Sequence, residues 1–256
     1  MIDAHTHLDD DRLFADADKI TGDFEADGIE LIIDGSSNFD TMIRGVELAE
    51  KYQRVYTTIG VHPNDAETFD EKTINKMREL SSHEKVVAVG EIGLDYYYDT
   101  PSREVQKEVF AEQLKMADEF KLPVVLHIRD AYADAFDVLS QNKCYLNSGV
   151  VLHCYSGSLE MAKRFSEFDC YFCFGGAITF KNAKKEDIIR SIPLNRLLTE
   201  TDAPYMTPHP FRGQTNYPKY IKYTYMKMAD ALGITSEELE KIIRQNTLTV
   251  FKRIKL

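Results

Sequence analysis

The chain of 256 residues holds no apolar run approaching the about 18 positions that a membrane helix needs, and its amino terminus lacks a basic stretch leading into an apolar one. Neither a membrane-spanning nor a secreted protein is therefore expected. Cysteine is scarce. Cys144, Cys154, Cys170 and Cys173 are too few and too late in the chain to staple a fold of this length. Cys170 and Cys173 form a C-x-x-C, which invites a zinc or redox reading. They lie in a β-like run, Cys170-Tyr-Phe-Cys-Phe-Gly, where positions i and i+3 face opposite sides, so two buried structural thiols are expected instead. The cytoplasm, a reducing compartment, is the expected location. Cations are outnumbered, with 31 Lys and Arg against 42 Asp and Glu and a formal net charge of −11. That balance excludes a protein that coats DNA through its overall charge, but not an enzyme that grips phosphate locally through metal ions. A Gly-rich nucleotide loop after the first apolar run is also missing. Asp3-Ala-His-Thr-His-Leu stands in its place and argues against an open doubly wound sheet.

What is present suits a large core. Apolar residues make up 43% and charged residues 29%, which excludes wholesale disorder. Short apolar runs open at Met1–Leu8, Ile29–Asp34, Val55–Val61, Val86–Leu94, Pro123–Ile128, Val150–Tyr155, Tyr171–Ile178 and Leu197–Thr201. Each is bounded by Gly, Pro, Asp or Ser and is short enough for a buried strand. Longer polar stretches with helical spacing separate them. In Arg103–Lys121, Val105, Val109, Leu114, Met116, Ala117 and Phe120 favour one face. A closing helix is expected over Ser236–Phe251, begun by Thr235-Ser-Glu-Glu. Eight strands alternating with helices predict an α/β chain folded as a TIM-type (β/α)8 barrel, with room for distortion and a C-terminal helix. No linker or composition shift divides it, so residues 1–256 are expected to form one domain.

Residues of metal-ligand type recur at the ends of these runs. His5 and His7, two apart on a strand, share a face. Glu91 ends the fourth run, His127 the fifth, His153 the sixth and Asp202 the eighth. In a β/α barrel all these ends converge on one face, where active sites of the fold lie. Four imidazoles and two carboxylates are too many for one tetrahedral ion and suit two divalent cations sharing a carboxylate. Any one of these residues alone could simply be satisfied by an ordinary hydrogen bond; six together at strand ends point to a shared centre.

Several multi-residue motifs then occur in order: His5-x-His7, Gly-Glu91-Ile-Gly-Leu-Asp95-Tyr, Leu-Pro-Val-Val-Leu-His127-x-Arg129-Asp-Ala, His153-Cys-Tyr-Ser-Gly-Ser and Glu200-Thr-Asp202-Ala-Pro-Tyr. With them the chain resembles the TatD family, metal-dependent deoxyribonucleases among the amidohydrolase-type barrels. The resemblance runs nearly end to end, through Gly176–Ala183 and Thr207–Gly213. It departs at Ile128, where the family often has Ser, and at Asn216-Tyr-Pro218, where it often has Asn-Glu-Pro. By resemblance, His5 and His7 hold a first metal, His127 and His153 a second, Glu91 bridges, and Asp202 is both ligand and proton handler. Glu91 and Asp202 are thus the catalytic candidates. Glu200 shares the strand face of Asp202. It is either a further ligand, a carboxylate that orients one from behind, or an ordinary ion-paired group.

The resemblance implies DNA as substrate and Mg as metal, whereas the imidazole-rich donor set suits Zn, Mn or Fe. No organic cofactor and no obligate protein partner are expected. Two divalent ions leave roughly one surplus positive charge over two carboxylates and a hydroxide, so nearby cations matter. Arg129, Lys181 and Arg212 follow the fifth, seventh and eighth runs and are expected at the same mouth, where they would clamp a phosphodiester. His62 in Gly-Val-His-Pro could donate to a phosphate oxygen, and Asp95, on Glu91's face, could orient a ligand or substrate. Tyr96 to Tyr98, Tyr155, Tyr205 and Phe211 also follow strand ends and could stack on bases, though core packing suits most of them. The alternatives are a related hydrolase of a small amide, ester or nucleobase, and a non-catalytic binding protein that retains a metal site.

Overall fold

The computed structural model describes residues 1–98 and 100–255. Eight strands run in chain order around one parallel sheet: β1 (Ile2–Thr6), β2 (Leu31–Asp34), β3 (Val55–Ile59), β4 (Val86–Asp95), β5 (Val124–Arg129), β6 (Val150–Leu152), β7 (Tyr171–Phe174) and β8 (Leu197–Thr199). Nearly every strand residue is buried, as expected where side chains meet a packed interior on one face and helices on the other. The sheet curls into a nearly closed TIM-type barrel. Beyond the last ladder, Asp202 N–H donates to His5 C=O at 3.0 Å and His7 N–H to Ala203 C=O at 2.7 Å, which carries the closure past β8. Lower down, the Asp3 carboxylate accepts from Thr201 N–H and Thr201 Oγ1 at 2.8 and 2.5 Å across the same seam.

Two apolar layers result. Val125, Val151 and Leu198 belong to the interior cluster, while Leu126, Leu152 and Leu197 join the outer cluster under the helices. Two residues beyond the inward set stand His127, His153 and Glu200, so strand periodicity alone aims them at the barrel axis. Cys170 lies in the outer layer and Cys173 in the inner one, on opposite sides of the sheet as their spacing requires.

The C-terminal helix, Ser236–Val250, starts with a capping box between Thr235 and Glu238, and delivers Val250, Phe251 and Ile254 into the interior cluster at the foot of the strands. Tyr56 Oη fixes this tail by accepting from Lys255 N–H and donating to Lys255 C=O, at 3.1 and 2.9 Å.

The helix Arg103–Phe120 corrects its expected face. Leu114, Met116 and Ala117 are buried, but Gln106, Phe110 and Gln113 complete the buried stripe, leaving Val105, Val109 and Phe120 half-buried. The glutamines are inside because each satisfies a loop backbone. Gln106 accepts from Asp95 N–H at 2.8 Å and donates to Asp95 C=O at 3.0 Å. Gln113 does the same for Val61, also at 2.8 and 3.0 Å. The helix therefore holds the end of β4 and the loop carrying His62.

Candidate metal centre

The carboxyl ends of the strands open into a cavity of about 910 Å³, lined by His7, Glu91, His127, His153 and Asp202 among others. Glu91 is 3% exposed and divides the cluster. Its Oε1 lies 3.2 Å from both His5 Nε2 and His7 Nε2, whereas its Oε2 lies 3.2 Å from His153 Nε2 and 3.5 Å from His127 Nδ1. Asp202 Oδ1 approaches from the first side, 3.5 Å from His7 Nε2 and 4.0 Å from His5 Nε2. All six candidates of ligand type thus meet in one place.

The donor set passes a direct test for metal binding. Around a tetrahedral ion with bonds near 2.0–2.1 Å, donor atoms sit about 3.3 Å apart, close to the Glu91 spacings. Both His5 nitrogens are buried without a hydrogen-bond partner among the described residues, a costly state unless a further group receives a lone pair. The other imidazoles are oriented from behind. His7 Nδ1 lies 2.7 Å from Gly35 C=O and His127 Nε2 lies 2.9 Å from Asp95 Oδ2, so each places its proton there and turns its other nitrogen toward Glu91. Gly35 is needed at that spot, because a Cβ there would collide with the His5 ring.

The charges reinforce one another. Burial pushes the Glu91 carboxyl up, but His5, His153 and His7 outweigh it and hold it well below the usual carboxylate range. Asp202 is likewise raised by burial but held low on balance by His7, His153 and His5. Conversely, burial opposes protonation of His7, yet Glu91, Asp202 and Asp9 bring it to about 10. His153 is raised well above its ordinary value by Glu200 and Glu91 against burial.

Glu200 lies behind His153. Its Oε1 is 3.5 Å from His153 Nδ1 and accepts from Cys154 N–H at 2.6 Å, while fully buried Oε2 has no partner among the described residues. Asp95, besides holding His127, accepts from Tyr97 N–H at 2.9 Å. His62 lines the cavity 4.3 Å from the His127 ring, and its Nδ1 accepts from Asn64 N–H. Burial and the neighbouring His127 push its pKa down to about 3, so it is neutral at pH 7. Arg129 also lines the cavity, with its guanidinium 3.7 Å from the Tyr97 ring centre.

Two expected clamps lie elsewhere. Past β7 the chain folds into a 3-10 turn, Gly176–Thr179, whose Thr179 hydroxyl accepts from His209 N–H. This carries Lys181 into a separate groove with Lys184 and Lys227, while Arg212 stacks 3.8 Å over Phe180. Neither lines the cavity of the centre. Of the aromatics, Tyr97, Tyr98 and Tyr205 are exposed and line it, whereas Tyr155 is buried in the outer core.

Two acids were not singled out by the motifs. Asp9 and Asp34 are buried beside His7, with Asp9 N–H donating to Asp34 Oδ1 at 3.1 Å, and burial pushes Asp9 up to about 6 and Asp34 well above its usual range. Asp34 ends β2, so the strand-end signal extends to it.

A buried carboxylate set between two pairs of imidazoles, at the carboxyl end of a (β/α)8 barrel, fits the class of metal-dependent hydrolases. The chain belongs to the TatD family: the model described as "TatD related DNase" matches residues 2–252. The chain is 39% identical to the uncharacterized metal-dependent hydrolase YabD of Bacillus subtilis, over 98% of this chain and 99% of the relative. It is 33% identical to the similarly described YcfH of Escherichia coli, covering 98% and 95%. The crystal structure of YjjV, a TatD homologue from Escherichia coli, superposes with a TM-score of 0.93 at 33% identity, covering 98% of each chain. Among the described residues, no helix is long and apolar enough to cross a membrane.

Proposed function

We propose that the chain is a deoxyribonuclease that hydrolyses DNA phosphodiester bonds with two divalent cations, which His5, His7, Glu91, His127, His153 and Asp202 would hold. The observation that carries this reading is the split of Glu91, one oxygen toward His5 and His7 and the other toward His127 and His153, at the floor of an open cavity. The family description supports the choice of substrate. Bound cations would acidify a water and offset charge on the attacking and leaving oxygens.

The residues supply the rest. Asp202, ionised at neutral pH by its histidine neighbours, accepts the proton of the attacking water and returns one to the leaving oxygen. Neutral His62 accepts at Nδ1, so its proton is on Nε2, available to a phosphate oxygen. Arg129 adds a cation on the cavity wall, and Asp95 and Glu200 keep His127 and His153 turned inward. The nitrogen-rich donor set suits Zn, Mn or Fe better than Mg. Four free cysteines suit the cytoplasm.

The test is turnover of metal-replete protein on defined oligonucleotides beside a panel of small amides, esters and nucleobases. We expect chelator-sensitive cleavage of the oligonucleotides, restored by metal. Hydrolysis confined to the small substrates would replace DNA with that class, and no hydrolysis at full metal occupancy would leave a binding protein. Arg129→Ala should weaken cleavage of DNA more than that of a small neutral ester; equal losses would assign Arg129 to the centre itself.

A further inference from the structure

We propose that a basic groove beside the catalytic cavity is a second binding site, which seats the phosphate backbone of a nucleic-acid strand whose cleaved part lies in the centre. This rests on the phosphodiesterase reading above. The first observation is how unevenly charge is spread along the chain. Residues 170–185 and 203–229 contain no Asp or Glu. They carry seven Lys and Arg, so the remainder of a chain with net charge −11 bears −18.

The fold brings the two stretches together. The first follows β7, and the second runs from the loop after β8 into the helix Ile221–Leu232. They meet in a groove of about 420 Å³ whose walls include Lys181, Lys184 and Lys227 with Phe180, His209 and Tyr223. Arg212 lies 3.8 Å over the Phe180 ring and Lys222 Nζ 5.6 Å from the Tyr223 ring, which holds both cations at the rim. Two acids also line the groove. Glu186 is paired with Lys227, and Asp230 stands one turn beyond Met226 at its far end. Of the seven cations, Lys227 alone has a carboxylate partner among the described residues, and Lys185 is turned onto backbone carbonyls. Lys181, Lys184, Arg212, Lys219 and Lys222 remain exposed. In a chain with 42 acids to 31 Lys and Arg, five neighbouring cations left without one repel each other, and an anionic partner relieves that repulsion.

The groove adjoins the centre. Met206 lines the catalytic cavity and His209, at most ~11 Å of chain further on, lines the groove. The ridge between them is fixed. Met206 C=O packs against Gly176, where a Cβ would collide with it, and His209 N–H donates to Thr179 Oγ1 at 2.8 Å. Lys185 Nζ secures the wall by donating to Ser156 C=O and Gly157 C=O at 2.6 and 2.9 Å, and Ser156 lines the catalytic cavity. A strand leaving Glu91 on this side crosses one segment of backbone and meets the lysines. Lys219 and Lys222 extend the row of cations past the groove, which suits a polyanion better than a small anion. Contacts of this kind grip phosphate and read no base, so the site is indifferent to sequence.

The experiment uses metal-loaded protein with a dinucleotide, a strand of about 16 nucleotides, and the same strand with a phosphorothioate backbone that resists cleavage. One variant combines Lys181→Gln, Lys184→Gln and Lys222→Gln. A second of equal net charge combines Lys19→Gln, Lys143→Gln and Lys241→Gln, on exposed sites elsewhere. Loss of three phosphate contacts should lower the slope of log Kd against log salt by about 2, and weaken phosphorothioate binding on the order of 10- to 100-fold at 0.1 M salt. The first variant should show this change and a matching rise in KM on the long strand. Its kcat, and its KM on the dinucleotide, should stay at wild-type values, and the second variant should behave as wild type. An unchanged salt slope, equal losses in the two variants, or an equal rise in KM on the dinucleotide would each overturn the groove as a second site. So would unchanged strand binding with lost binding to vesicles of anionic phospholipid, which would assign the groove to a membrane surface. Failure of the wild type to cleave the long strand overturns the nuclease reading alone if the phosphorothioate is still bound with the full slope, and both readings if it is not.

Discussion

At the foot of the barrel, Val250, Phe251 and Ile254 seal the interior against Ile2, Leu31, Tyr171 and Leu198. At its mouth, the same strands deliver four imidazoles and two carboxylates into a cavity, and the two nitrogens of His5 are left without a hydrogen-bond partner among the described residues. The foot gains from apolar burial. The mouth carries desolvated charges whose arrangement serves a ligand rather than the fold. One end is built to hold together and the other to bind, and substitutions at the two ends should therefore separate activity from stability.

Glu91→Gln should give the largest effect. It keeps the size but removes the charge that both imidazole groups face, and activity should fall at least ~100-fold with loss of one metal. Without that charge His7 loses the largest group that holds its proton, so the metal-free variant should also melt a few degrees lower than wild type at pH 7, a smaller loss than that of activity. Wild-type turnover with full metal content would show that another group joins the two halves.

Phe251→Ala should do the reverse. It removes a fully buried ring from the plug, at a cost of about 3–5 kcal/mol in unfolding free energy, while kcat per folded molecule stays near wild type. Denaturant unfolding with turnover at low temperature checks both; a matching loss of kcat would mean that the ends are coupled.

A smaller effect separates the ends by pH. His7, raised from 6.5 to about 10 by Glu91, Asp202 and Asp9 against burial, stabilises the metal-free fold in its protonated form. That contribution is complete below pH about 6.5 and is lost as pH rises toward about 10. The metal-free protein should therefore melt a few degrees lower at pH 9.5 than at pH 7. Metal affinity should rise over the same interval, because binding displaces those protons. The deficit of Phe251→Ala should not vary with pH. A flat melting profile for the chelated protein would show that His7 is not charged there.

The strands were legible because each is a short apolar run ended by a polar residue, and the barrel geometry makes those ends neighbours. Five of the six residues of ligand type lie near or just past such ends and were legible for the same reason, whereas Glu91 sits within β4, which runs on to Asp95. Loop positions were not. Arg129 is the last residue of β5 and is aimed by the strand, whereas Lys181 comes seven residues past β7, after a 3-10 turn that takes it into another groove, and no local pattern announces that turn's direction. The buried glutamines escaped because an apolar count treats Gln as a surface residue. Gln106 and Gln113 are inside only because distant backbone groups need partners. Tyr155 and Tyr205 look alike in sequence, and only packing makes one core and the other rim.

Those two glutamines set a common gauge. They lie seven residues apart on one helix, close to two full turns, so a single rigid rod fixes the height of Asp95 and of the residue before His62. Each residue inserted or deleted between them would swing one amide about 100° away from its loop. The spacing of neighbouring groups at the ends of β3 and β4 is thus stored in the pitch of a helix outside the barrel, which leaves the loops free to vary in sequence so long as that rod keeps its count.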